Sequence, residues 1–154
     1  MTSATIIRPA RPDEAGVLTD LVLRSKAYWG YSEEFMESCR AELTVRPEDV
    51  VAKRTTVATT DDGRIVGVAM FTGEPPHGEL DGLFVAPEAI GKGYGSRLFH
   101  HVADTARAAG HPCLELTADP NAEPFYEALG AVRIGTEPSG SIPGRVLNRY
   151  SYRL

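Results

Sequence analysis

The feature that most restricts how this chain can fold is the run Ile90-Gly91-Lys92-Gly93-Tyr94-Gly95-Ser96, which sets three glycines on alternate positions between two segments of different periodicity. Before it, residues 79–85 read as a β-strand; after it, Leu98, Val102, Ala106 and Ala109 fall on one helix face until Gly110 stops the pattern. The segment Leu114-Glu115-Leu116-Thr117 then reads as another strand. A helix joining two neighbouring strands forces them to be parallel, because the crossover must cover the sheet. The glycines strip Cβ atoms from one turn, so backbone N–H groups can converge and a ligand can come close. At the helix start, free amides and the positive end of the dipole complete a cradle for a pyrophosphate.

The rest of the chain fits around this unit. Residues 5–8 read as a short opening strand. Pro12 suits the start of a helix, with Asp13 and Glu14 favourably placed in its first turn. Leu18, Leu21, Val22 and Ser25 continue one face, and Arg24 and Lys26 suit the last turn. Ser32 reads as the cap of a second helix in which Phe35, Cys39 and Leu43 are spaced four apart. Residues 55–59 and 65–72 read as strands around the turn Asp61-Asp62-Gly63. A short helix over residues 121–129, closed by Gly130, precedes two final strands at 132–136 and 145–152. The order β-α-α-β-β-β-α-β-α-β-β predicts an α/β (α+β) fold built on one mixed sheet, with strands four and five parallel and the others antiparallel. With no repeat, low-complexity tract or linker, residues 1–154 read as a single domain. A chain of this length buries about 68–70% of its unfolded surface, so its core requires neither metal nor disulfide.

Composition excludes several classes of function. Lys and Arg total 16 against 21 Asp and Glu, for a formal net charge of −5. A sequence-independent grip on nucleic acid needs a basic face, so none is expected. The charge is compatible with a cationic substrate and equally with plain solubility. No window approaches 18 apolar residues, so no membrane span is expected, and residues 1–10 lack the pattern of a secretory signal. Cys39 and Cys113 make neither a disulfide framework nor a zinc site; they read as buried filler in a reducing cytoplasm. His77, His100 and His101 show no metal-ligand spacing.

Three ligand classes compete for the glycine turn, beside a purely structural role. A Walker A loop would end in Gly-Lys-Ser/Thr, and Gly95-Ser96-Arg97 does not. A dinucleotide fingerprint needs G-x-G-x-x-G, whereas the spacing here is G-x-G-x-G. Coenzyme A remains. In Val85-Ala86-Pro87-Glu88-Ala89-Ile90-Gly91-Lys92-Gly93-Tyr94-Gly95-Ser96, the residues Val85, Pro87, Gly93 and Gly95 match V-x-P-x-x-Q/R-x-x-G-x-G/A position by position. The segment thus resembles the signature of the GNAT superfamily of N-acetyltransferases, placed there between the fourth strand and the third helix. Ile90 departs from the usual Gln or Arg. The likeness spans essentially the whole chain. It implies acetyl-CoA as the acetyl donor, with Leu83, Phe84 and Val85 along the pantetheine arm and the Val85 backbone hydrogen-bonded to it. It also implies a pyrophosphate among the amides of Gly91, Lys92, Gly93, Tyr94, Gly95 and Ser96, with Ile90 beside them and Asn121 and Tyr126 also at the coenzyme.

The segment Asn121-Ala122-Glu123-Pro124-Phe125-Tyr126-Glu127-Ala128-Leu129-Gly130 resembles the second signature of the same superfamily, with Asn121 in the position of a helix cap. By that likeness Tyr126 is the acid that protonates the departing thiolate of coenzyme A; a satisfied core tyrosine is the alternative. The attacking amine must first lose a proton, since an alkyl ammonium has a pKa of about 10.4. Glu79 and Asp81, two apart on the strand entering the cradle, are the candidate bases, beside a water relay with no dedicated base. Tyr28, Trp29 and Tyr31 lie where the superfamily places its acceptor lid and could wall an amine pocket, or Trp29 could simply fasten the lid to the core. Residues 138–145 are placed to close the pocket's other side, or form a plain turn or dimer contact. The expected acceptor is a small-molecule amine. A peptide or protein N-terminus would call for an open acidic groove, and a non-catalytic acyl-CoA sensor would share the same cradle. A homodimer through the C-terminal strands is compatible with the resemblance.

Overall fold

The computed structural model describes residues 6–154. Of the opening strand, Thr5 lies outside the described residues, and β1 runs Ile6–Pro9. A 3-10 turn, Pro12–Glu14, leads into α1, Ala15–Ala27. The turn is fixed by Glu14, which is buried and accepts from the Arg11 amide at 2.8 Å and from the Arg8 guanidinium at 3.0 and 2.7 Å. The Arg8 hydrogen bonds outweigh the burial and hold this carboxyl down at about 2. Helix α1 buries Leu18, Leu21, Val22 and Ser25, the face expected from spacing. Helix α2, Glu33–Leu43, is capped by Ser32, whose hydroxyl accepts from the Phe35 amide at 3.1 Å. A further helix, α3, Pro47–Ala52, goes beyond the expected order. Its start signals are present, Pro47 followed by Glu48 and Asp49, but it is only 6 residues long and buries only Val50, too little to show a helical period.

The sheet contains β1, β2 (Thr56–Thr59), β3 (Ile65–Thr72), β4 (Gly78–Val85), β5 (Cys113–Ala118), β6 (Val132–Pro138) and β7 (Val146–Arg153), in the order β1-β2-β3-β4-β5-β7-β6. Among the described strands only β4 and β5 are parallel, joined through α4, Tyr94–Ala108, which is the fourth described helix rather than the third. Helix α5, Glu123–Leu129, follows β5.

Side chains alternate across the strands and build a core on each face. Val57, Val66 and Val68 pack with Leu18, Leu21 and Val22 of α1, whereas Ala58, Ala69 and Phe71 pack with Leu98, Phe99 and Val102 of α4. Gly67 permits the close approach of α4, for a Cβ there would lie 2.7 Å from Leu98 Cδ1.

Two irregularities shape the middle of the sheet. β4 and β5 pair only from Gly78↔Leu114 to Leu80↔Leu116; beyond that β4 continues to Val85 beside β3 and β5 to Ala118 beside β7. The sheet therefore forks. In addition, the register between β3 and β4 passes from Met70↔Gly82 to Phe71↔Leu80, leaving Asp81 as the extra residue of a bulge.

Candidate active site

The cradle begins where β4 ends. A 3-10 turn, Pro87–Ala89, is followed by Gly91 and Gly93 at φ 84° and 87°, a left-handed conformation that costs a side chain dearly. Nothing lies within 4 Å of a Cβ built on either, so these glycines serve backbone conformation and not space. Gly95 is different: its Cβ would sit 3.3 Å from the Phe125 ring, so the bare residue lets the first turn of α4 rest on α5. The first amides of α4 have no acceptor within the helix and remain available to an anion.

A cavity of about 350 Å³ opens over this turn and into the fork between β4 and β5. Of the residues assigned to the coenzyme from sequence, Leu83, Phe84, Val85, Ile90, Gly91, Gly93, Tyr94, Gly95, Ser96, Asn121 and Tyr126 all line it, while Lys92 is exposed outside its lining. Trp29 lines this cavity too, and Tyr28 stands outside it, edge-on to Trp29 at 5.1 Å. The turn, the bare Gly95 and the adjoining groove fit a diphosphate on an extended arm.

A second cavity, of about 480 Å³, lies on the other side of a common wall made by Lys26, Leu83, Phe84, Asp119, Ala122 and Tyr126. Tyr126 is 6% exposed and rests against the Phe99 and Phe125 rings. No side chain among the described residues bonds its hydroxyl, and burial pushes the phenol well above its usual range, so it stays protonated at any physiological pH.

Glu79 and Asp81 both line the second cavity, and both are paired. Arg149 Nη1 donates to Glu79 Oε1 at 2.7 Å and Oε2 at 2.9 Å, and the same guanidinium reaches Thr117 at 2.9 Å, Glu115 at 3.0 Å and Glu137 at 3.4 Å. Lys53 Nζ donates to Asp81 at 3.0 Å. Arg149 was not singled out from sequence, although a signal exists: it sits opposite Thr117 in the register of β5 and β7, on the face opposite buried Leu116 and Tyr150.

The wall around Asp119 is a polar knot. Its side chain caps the 3-10 turn Pro120–Ala122 by accepting from the Asn121 amide at 2.9 Å, so Asp119 fills the capping place expected of Asn121. Asn121 Nδ2 instead donates to the Tyr31 hydroxyl at 3.1 Å. Asp119 also accepts from Lys26 and, at 2.7 Å, from the Tyr31 hydroxyl, with Arg145 at 3.4 Å. Burial pushes the Asp119 carboxyl up, but the hydrogen bonds from Lys26, Asn121 and Tyr31 together prevail and hold it at about 2. Tyr31 stacks on Phe35 at 4.1 Å, between Lys26 and Arg145. Tyr31 thus ties the connection between α1 and α2 to the end of β5 and to the loop before β7. The same loop contributes Gly140, beside Pro138 at the end of β6, to the second cavity.

Residues 22–131 match the sequence profile of the acetyltransferase (GNAT) family. No curated protein matches the sequence. Among solved structures, a GCN5-related N-acetyltransferase of Rhodopseudomonas palustris is 26% identical, with a TM-score of 0.82 over 100% of this chain and 99% of the other. PaiA N-acetyltransferase of Thermoplasma acidophilum, solved in complex with coenzyme A, is 18% identical with a TM-score of 0.82, over 98% of this chain and 99% of that one. N-acetylglutamate synthase of Neisseria gonorrhoeae, complexed with coenzyme A and N-acetyl-glutamate, is 22% identical with a TM-score of 0.71; it matches 100% of this chain with 36% of its own. No described helix is long and apolar enough to cross a membrane. The profile match, a sheet forked beside a glycine cradle and the order of its strands make this chain a member of the GNAT family of acetyltransferases, whose acetyl donor is acetyl-CoA.

Proposed function

We propose that this chain transfers the acetyl group of acetyl-CoA directly to the amine of a small molecule, as one domain acting in the cytoplasm. The carrying observation is that the cradle's cavity and the larger cavity share a wall containing Tyr126, a buried residue whose hydroxyl has no hydrogen-bond partner among the described residues. The donor would lie with its diphosphate on the amides of Gly91, Gly93, Tyr94, Gly95 and Ser96, and its arm along Leu83, Phe84 and Val85. The volume of the second cavity falls within the ordinary range for small-molecule sites, about 300–1,000 Å³.

Bound acetyl-CoA supplies an activated thioester whose sulfur is the leaving group. As the amine nitrogen bonds the carbonyl carbon, the C–S bond breaks and its electron pair stays on sulfur. Tyr126 gives its hydroxyl proton to that sulfur and is restored by the proton that the newly acylated nitrogen sheds. In water the transfer from a phenol of pKa about 10 to a thiolate of pKa about 8.5 is uphill by about 2 kcal/mol. Burial raises the phenol and the thiolate alike, so the transfer stays uphill and is drawn forward by the favourable conversion of thioester to amide. The acceptor arrives as an ammonium, and its proton passes to a carboxylate of the second cavity, directly or through water; Glu79 and Asp81 are the nearest candidates on β4. Their pairing with Arg149 and Lys53 favours the water-relayed route, in which each carboxylate orients a water without leaving its partner.

Release of free thiol from acetyl-CoA, measured against a panel of amines, tests the reading. Coenzyme binding with no acceptor-dependent release would overturn it in favour of an acyl-CoA sensor. The acidic character of the second cavity supports one other reading, acetylation of a peptide N-terminus, and a peptide series in the same panel separates the two.

A further inference from the structure

The second cavity has a wall that it does not share with the coenzyme side. It is built from the last turn of α2, from α3 and from the end of β6 with the loop that follows, and it carries Glu42, Asp49 and Glu137. Over the whole cavity six carboxylates (Glu42, Asp49, Glu79, Asp81, Asp119 and Glu137) face three cations (Lys26, Lys53 and Arg149). Every one of those cations is already engaged: Lys26 by Asp119, Lys53 by Asp81, and Arg149 by Glu79, Glu115 and Glu137. The carboxylates of Glu42 and Asp49 take part in no ion pair or hydrogen bond among the described residues. Glu42 is exposed and lies against the loop after β6: its two oxygens are 3.4 Å from where a Cβ on Gly140 would stand. The wall shared with the coenzyme side holds Tyr126, a buried residue whose unpartnered hydroxyl marks where the reacting amine must come. A cavity with a reacting group at one wall and a surplus of negative charge at the other selects a molecule of matching polarity.

We propose that the acceptor is an alkyl diamine or longer polyamine: one amine is acetylated beside Tyr126 while a second, still protonated ammonium is held by Glu42, with Glu137 and Asp49 adding to the field. This rests on the reading of the second cavity as the acceptor side of an acetyltransferase. An ammonium withdrawn from water needs a carboxylate opposite it, and here two are uncommitted. An acceptor bearing its own carboxylate would meet like charge. The step balances: the reacting ammonium gives one proton to the cavity before attack, and its nitrogen forms the C–N bond as the C–S bond breaks. The sulfur gains a proton from Tyr126, the second proton shed by the nitrogen restores Tyr126, and the other ammonium is unchanged. The product carries one positive charge fewer, which favours its release from an acidic wall.

The test compares pentylamine, 1,5-diaminopentane and lysine as acceptors for the full chain with saturating acetyl-CoA. The expected result is a kcat/KM for the diamine about tenfold or more above that of pentylamine, with lysine well below the diamine. In Glu42→Gln, an exposed position that folding tolerates, and in Glu42→Gln/Glu137→Gln the diamine-to-monoamine ratio should fall toward one. Pentylamine matching the diamine, lysine surpassing it, or a ratio that survives the double substitution would overturn the proposal while leaving an acetyltransferase standing. Calorimetry of 1,5-diaminopentane with the coenzyme A-loaded protein reads the site without turnover. Binding that weakens in the double variant, with no amine ever acetylated, would uphold the cation site and sink the catalytic reading instead.

Discussion

The hydroxyl of Tyr31 donates to Asp119 Oδ2 at 2.7 Å, joining the connection between the first two helices to the end of β5 across 88 residues of sequence. Around this bond Lys26, Asn121 and Arg145 converge, and Lys26, Asp119 and Asn121 border the cavities where chemistry is proposed. The knot is both a fastener of the lid and a wall of the site, which makes its response to pH measurable.

Asp119 and Glu14 both have folded-state pKa values of about 2, below those of the unfolded chain at about 4. A depressed carboxylate stabilises the fold fully above its unfolded pKa and loses that contribution as pH falls through the folded one. Acid unfolding should therefore steepen between about pH 4.5 and 2, each group contributing on the order of 2 kcal/mol. Urea midpoints measured across this range should show the slope, and Asp119→Asn should flatten it and lower stability at pH 7.

Replacing Tyr126 by Phe keeps the ring between Phe99 and Phe125 and removes only the hydroxyl. Loss of a general acid should lower kcat by about a hundredfold. Coenzyme affinity by calorimetry should stay close to that of the parent. Unchanged turnover would remove Tyr126 from the mechanism.

Gly93→Ala forces a Cβ onto a left-handed residue, a strain of about 1–2 kcal/mol that must distort the turn. Coenzyme binding should weaken by about tenfold, with little effect on acceptor KM. Ile90→Arg should do the reverse. Ile90 is 39% exposed on the cradle, so a guanidinium there has room and should tighten the coenzyme severalfold, an advantage that added salt removes.

Trp29 is the only tryptophan and lies half-exposed on the coenzyme-side cavity. Titration with coenzyme A should change its emission, with a saturating signal that vanishes in Trp29→Phe. A silent titration alongside calorimetrically proven binding would place the coenzyme away from this wall.

What the sequence made legible is what is local. The cradle is a contiguous stretch whose glycines, proline and following helix carry their own geometry, so its residues could be named before any fold was known. The succession of strands along the chain followed from turns and periodicity in the same way. Helix α3 escaped because its 6 residues complete too few turns to show a period. The pairings Lys26–Asp119, Arg149–Glu79 and Lys53–Asp81 escaped because partners 93, 70 and 28 residues apart meet only through the sheet and the lid. Asn121 looked like a cap because the residue that does the capping, Asp119, stands just upstream across Pro120. The aromatic run at 28–31 was visible, but not its division: Trp29 toward the coenzyme side, Tyr31 into the knot, Tyr28 outside.

The parting of β4 from β5 after Leu80 and Leu116 leaves an edge of main-chain donors and acceptors along β4 with no strand opposite. An extended ligand rich in amides, laid in that gap, would act as a surrogate strand and mend the sheet across its weakest seam. Coenzyme binding should then do more than fill a groove. It should knit the two halves of the molecule, so that amide exchange at residues 82–85 slows and thermal unfolding moves up as one transition.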